Sequence, residues 1–227
     1  DEQSITFFEN LNSKIKIKIK KIYIDDVNYM NNLYGDISYI NNKLDNLKLK
    51  SIFPNKKEIN LSIKTNNNFE VETKLFSSYP KPLIKRYNFI RGFEEGYLEF
   101  YSSKKGNISN STLIISDFKV KEVPILAKLL SLSSLQGIAD LLTGEGIRFT
   151  DFEMNFSNQN SLTKIQEMYA IGPAVSVLMD GYIESKKLIS LRGTLVPATT
   201  INKTIASIPL LGKILIGDKT GEGVFGV

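Results

Sequence analysis

Residues 14–20 read Lys-Ile-Lys-Ile-Lys-Ile-Lys, and a strict alternation of this kind leaves the backbone little choice. With a period of two, Ile15, Ile17 and Ile19 fall on one face of an extended chain and the four lysines on the other. A helix would scatter both sets around its circumference. The segment is therefore a strand with one wet face and one face that needs cover. At Lys20-Lys21 the apolar set moves to Ile22 and Ile24, a slip of one residue that turns the side chains over, so a β-bulge is expected there.

The same alternation recurs at 36–40, at 44–52 with Leu47 and Leu49, at 59–63 with Ile59, Leu61 and Ile63, at 69–75 and at 97–101. Turns rich in Asn, Lys and Gly, such as 66–68 and 104–107, separate these runs, which predicts a meander of antiparallel strands. Further strands are expected at 148–156, 164–171, 175–183 and 188–196. Phe149 set against Phe152 and Met154 asks for a second bulge. No letter-for-letter repeat is visible; stacked hairpins that share pattern rather than sequence are the expected form of any repetition.

Helical spacing appears in three places. Pro80-Lys-Pro82 followed by Leu83, Ile84, Tyr87 and Ile90 predicts a short helix over about 82–91, ended at Gly92 and packed as a plug against the sheet. Pro124 opens a leucine-rich amphipathic segment through Leu142, a helix over 124–143 that Gly137 bends or divides. Residues 200–215 read as a broken helix interrupted by Pro209 and Gly212.

The chain contains no Cys and no His. That removes thiol nucleophiles, imidazole bases, Ser-His triads and zinc sites built from sulfur or imidazole. Without Cys the redox compartment stays open. Net charge is +5, carried by the first part of the chain: residues 1–123 hold 20 Lys/Arg against 15 Asp/Glu, and 124–227 hold 9 of each. A basic surface suits nucleic acid or anionic lipid, but solvent-facing lysines on half-exposed strands are the favoured account, since charge alone is weak evidence.

Motifs for chemistry are sparse. Gly144-Glu-Gly146 and Gly221-Glu-Gly223 match neither a phosphate loop nor a calcium loop and read as tight turns. Asp25-Asp26 and Glu94-Glu95 are adjacent carboxylates that extended backbone points to opposite faces, so they cannot share a proton. Aromatic residues alternate with Lys, yet no RNP-like octamer exists, and nucleic acid is not an expected partner. No window holds 18 uncharged apolar residues, and Asp1-Glu-Gln-Ser lacks the basic start of a signal peptide. Beginning without Met and stopping in Gly223-Val-Phe-Gly-Val227, the chain is expected to be a piece of a longer protein, soluble or peripheral in itself.

From about Ser116 to Val227 runs a series of marks: Val123-Pro124, the leucine-rich segment, Gly144-Glu-Gly146-Ile, Gly172-Pro173, Asp180-Gly181, Arg192-Gly193, Val196-Pro197, and Ile208-Pro209-Leu-Leu-Gly212. This pattern resembles the C-terminal region of AsmA-like proteins, in particular the large YhdP-type members, a bacterial group related to TamB and to the bridge-like lipid transfer proteins. The resemblance implies an inner-membrane anchor elsewhere in the protein, a periplasmic body in a Gram-negative envelope, a hydrophobic β-groove and a part in phospholipid movement toward the outer membrane. It implies no catalytic residue, cofactor or metal.

These readings combine into one expectation: a β-rich α+β fold, with a curved antiparallel groove-like sheet, one long amphipathic helix and one or two short or broken helices. Residues 1–115 form the meander and 116–227 the AsmA-like region. Ile15, Ile17, Ile19, Leu47, Leu49, Ile59, Leu61 and Ile63 are the candidates to face acyl chains. The C-terminal helices are the candidates for contact with a membrane surface or an envelope protein. Two rivals remain: an interaction module of the envelope whose helices fill the concave face, and an enzyme built on carboxylates, Tyr or Lys.

Overall fold

The computed structural model describes residues 12–87, 90–121, 146–185 and 188–197. Within them the chain forms β1 (Ser13–Tyr23), β2 (Tyr29–Ile40), β3 (Lys43–Ile52), β4 (Glu58–Thr65), β5 (Val71–Ser77), α1 (Lys81–Arg86), β6 (Phe93–Lys105), β7 (Ile108–Val120), β8 (Ile147–Gln159), β9 (Leu162–Ile171), β10 (Val175–Glu184) and β11 (Leu188–Pro197). All the strands lie in one 11-stranded sheet in chain order. Each pairs antiparallel with its sequence neighbours, so β1 and β11 are open edges among the described residues. The sheet curves without closing.

Local chemistry explains this order. Asn41 and Asn42 both adopt positive φ, 50° and 62°, between Ile40 and Lys43, the geometry that lets a two-residue turn follow the right-handed twist of its strands. Gly106 and Asn160, at φ 60° and 55°, serve the hairpins of β6–β7 and β8–β9. These short connections share one long side of the sheet. On the other side lie longer ones, including α1. A division between residues 115 and 116 falls inside β7, which is hydrogen-bonded to both β6 and β8.

Neither expected bulge occurs at its expected place, at Lys20-Lys21 or between Phe149 and Phe152. Between β1 and β2 the register runs one to one through Lys20 and Lys21. Across from Lys20, on β2, Asn32 adopts φ 53° and turns that strand's side chains over. A left-handed residue brings side chains three apart to the same side, so Met30 and Leu33 both face inward. β3 lacks this kink, and β2 has one extra residue against it between Asn31 and Tyr34.

The second case uses the same device. Gly96 at φ 84° and Asp117 at φ 53° stand opposite each other, with Thr150 next in line, and the register of β6, β7 and β8 is unbroken. Ile115 and Phe118, and likewise Phe149 and Phe152, are thereby all buried. A bulge does occur on β9, around Gln166, against both β8 and β10.

Asp180-Gly181 and Arg192-Gly193 lie within β10 and β11 rather than at turns. Gly181 is required there: at φ 147°, its Cβ would sit 2.1 Å from the Ser190 carbonyl oxygen.

The short helix is present but ends early. Pro80 precedes it, Pro82 sits in its first turn, and it stops at Arg86 with Tyr87 capping rather than continuing to residue 91. Ile84 and Pro82 are buried, and the helix packs on β6. The helices expected over 124–143 and 200–215 lie outside the described residues; among the described residues the helix is α1. Among the described residues, the β-rich sheet is what stands of the α+β expectation.

The densest packing is aromatic. Phe118 stacks on Phe93 at 5.5 Å and on Phe149 at 5.3 Å, with Phe152 edge-on at 6.4 Å. Ile115, Ile147 and Val175 are fully buried beside them.

Candidate apolar groove

Residues directly opposed across antiparallel strands project to the same side, so the register can be read as rows that cross the sheet. One row begins Ile17, Gly35, Leu49, Leu61 and Leu75 on β1–β5. It continues through Phe100, Leu113, Met154, Met168, Met179 and Gly193 on β6–β11. No polar side chain interrupts it. At roughly 4.8 Å per strand this lane is about 48 Å long.

The row on one side includes Ser51, Ile59, Ser77, Leu98, Ile115 and Phe152. On the other side it includes Ile15, Ile37, Leu47 and Ile63, and then becomes polar at Thr73, Ser102 and Ser111. There the Ser111 hydroxyl donates to Ser102 at 2.9 Å.

Curvature makes the middle of this face a cavity of about 650 Å³, inside the range of roughly 300–1,000 Å³ common for small-molecule sites. Strands as far apart as β2 (Met30, Leu33) and β8 (Met154, Phe156) line it, and α1 covers it with Leu83, Ile84 and Tyr87. No lining residue carries a charge. Ser51 brings a hydroxyl, which is already used: it donates to the Asn31 carbonyl at 2.8 Å.

Of the residues predicted to face acyl chains, Leu49, Ile59 and Leu61 line this cavity. Leu47 and Ile63 are paired neighbours on the same face just beyond it. Ile17 heads the apolar lane, and Ile19 pairs with Leu33. Ile15 and Ile19 are exposed, because β1 is an edge strand with no neighbour to fold over it.

Sequence reasoning missed Leu98, Phe100, Leu113, Met154 and Phe156 as lining residues. Leu98, Phe100, Met154 and Phe156 carry the same period-two signal on the strands expected at 97–101 and 148–156, whereas Leu113 lies in a part of β7 outside the expected strands. Met30 and Leu33 were hidden by the kink at Asn32, which breaks the period.

The opposite face is polar. Lys16, Asp36 and Lys48 are aligned across β1–β3, with Lys14, Lys18 and Lys50 beside them. Farther along, Tyr169 donates to the Glu153 carboxylate at 2.8 Å, and Asn155 donates to its other oxygen at 2.8 Å. Burial, and then that carboxylate, push the Tyr169 hydroxyl far above its ordinary pKa. Burial and the Glu153 charge push Glu167 up as well.

The adjacent carboxylate pairs are tied down separately. Asp25 accepts from the Val27 and Asn28 amides at 2.9 and 2.6 Å and from the Asn28 side chain. Glu94 pairs with Lys81 and Lys121, and Glu95 with Lys119 and Arg148. Among the described residues no group of His, Cys, Asp and Glu could hold a metal ion, and no helix is long and apolar enough to cross a membrane.

This arrangement can hold an elongated apolar ligand by burial, with no charged group inside. Set against known proteins, the chain matches no family model, no curated protein and no solved structure.

Proposed function

We propose that this chain is a non-enzymatic lipid-handling segment whose concave face receives acyl chains. The observation that carries this reading is the 650 Å³ cavity, lined without any charge and with its one lining serine already hydrogen-bonded to backbone. Displacing water from such a surface gives roughly 25 cal/mol for each Å² of apolar area buried, and an alkyl chain meets no charged group on the way in. The apolar lane through the cavity extends the same surface to both edges of the sheet.

Together with the AsmA/YhdP-like pattern after Ser116, this supports a periplasmic part of an inner-membrane-anchored Gram-negative protein that moves phospholipid toward the outer membrane. No catalytic residue, cofactor or metal enters this reading.

The test is native mass spectrometry with lipid extraction on the 227-residue chain purified from a bacterial host, beside Leu61→Asp, which places a charge on the cavity wall. Copurifying phospholipid that is lost in the variant supports the reading. A lipid-free, monodisperse wild type overturns it in favour of an envelope interaction module.

A further inference from the structure

The cavity offers no charge to the polar end of an amphiphile: Ser51 is taken, and the one other lining hydroxyl, on Tyr87, belongs to a residue 77% exposed. Whatever polar group accompanies the chains must lie outside. α1 separates this apolar space from a second hollow of about 560 Å³, bounded by Lys81, Lys85, Arg91 and Glu94 over a floor that includes Ile90 and Phe93. The short helix is thus two-faced: Leu83 and Tyr87 turn to the cavity, and Lys81 and Lys85 to the hollow.

The charges in the hollow do not cancel. Glu94 is its one carboxylate, and two ammonium groups share it, Lys81 at 3.0 Å and Lys121 at 3.6 Å. Lys85 and Arg91 make no ion pair among the described residues; Asp25 acts on Lys85 only through space. Two unpaired cations of different geometry, one a point charge and one a planar fork, face a hollow large enough for a headgroup. Phosphate oxygens match both, the guanidinium bidentately.

We infer that the hollow beside α1 binds the phosphate of an anionic lipid whose chains occupy the concave cavity. Lys85 and Arg91 supply the contacts, and Lys81 remains committed to Glu94. This inference rests on the acyl-chain reading of the cavity and adds the headgroup class. It also gives the preference a cause: a net negative phosphate monoester gains from both cations, whereas a choline headgroup brings its own positive charge into the same field.

The experiment is calorimetric titration of the full 227-residue chain with dihexanoyl phosphatidic acid, dihexanoyl phosphatidylcholine and inorganic phosphate. Phosphatidic acid should bind at least ~10-fold more tightly than phosphatidylcholine of equal chain length, and raised salt should shrink that ratio. Lys85→Gln with Arg91→Gln should abolish the ratio and leave the phosphatidylcholine affinity unchanged. Lys85→Arg with Arg91→Lys should restore it in part. Both positions are exposed, so the variants keep the fold.

Equal affinity for the two lipids overturns the inference. So does inorganic phosphate that binds as tightly as phosphatidic acid, which would assign the hollow to a free phosphate. Leu61→Asp separates the two proposals. Loss of both lipids in that variant supports chains in the cavity, whereas phosphatidic acid bound undiminished in it, with its dependence on Lys85 and Arg91 intact, overturns the cavity reading and the joint site with it.

Discussion

The guanidinium of Arg86 donates a hydrogen bond to the carbonyl oxygen of Ile24, joining the end of α1 to the β1–β2 turn across the concave side of the sheet. Residues 62 apart in sequence meet here because the sheet curves. The contact ties down the helix that covers the cavity. Both partners are accessible, so its net contribution is small, about 0.5–1.5 kcal/mol. Arg86→Met keeps the aliphatic stem and removes the donor. Faster amide exchange at 24–28 and in α1, with the global unfolding midpoint nearly unchanged, is the expected result. Hydrogen-exchange mass spectrometry checks it.

Phe118 is 2% exposed and contacts three other phenylalanine rings. Phe118→Ala should cost about 3–5 kcal/mol, since neighbouring strands cannot collapse into the space an aromatic ring leaves. Urea unfolding followed by circular dichroism measures the loss. Ile15→Ala, on an exposed edge, should change the same midpoint little.

Two glycines with positive φ separate backbone strain from steric collision. Gly106→Ala, at φ 60° with nothing within 4 Å of the new methyl, should cost only about 1–2 kcal/mol of left-handed strain. Gly181→Ala adds a collision with the Ser190 carbonyl and should detach β11 from β10. Amide protection across 188–197 distinguishes the outcomes: retained in Gly106→Ala and lost in Gly181→Ala.

Two carboxyls give opposite pH dependences. The Asn28 side chain, followed by the Asn28 and Val27 amides, lowers Asp25 to about 2. A depressed value stabilises above the unfolded pKa and is lost as pH falls from about 4 toward 2. The 24–28 turn should therefore loosen over that window in wild type and show no such titration in Asp25→Asn.

Glu167 is raised, by burial and then by the Glu153 charge, so its folded form favours the proton. Its contribution becomes unfavourable as pH rises through the unfolded carboxyl range and beyond. One of its oxygens is buried without a hydrogen-bond partner. Glu167→Gln should raise the melting temperature at pH 7 and leave it nearly unchanged at pH 4.

The strands were legible because alternation survives in isolation. Residues 43–52 and 58–65 declare their faces from their own letters, and Leu49, Ile59 and Leu61 could be assigned to one side before any partner was known. Extended backbone imposes the period of two on every such run. The turns at Asn41-Asn42 and Gly106 were equally local, since they depend on which residues tolerate positive φ.

What tertiary structure decided was how faces stay in step between strands. Gly96 and Asp117 turn side chains over without slipping the register, because these matched positions on adjacent strands kink together, whereas Asn32 keeps its register with β1 and is absorbed as a one-residue bulge against β3. A single strand read alone shows only a broken period, which looks like a bulge. The curvature that brings β2 opposite β8, places α1 over the cavity and sets Arg86 beside Ile24 is a sum of small twists along the sheet. Sequence by itself determined that this chain has one apolar face to cover; only the tertiary structure decided that the face bends into a cavity with a cationic hollow at its rim, because curvature belongs to the pairing of all the strands and to none of them singly.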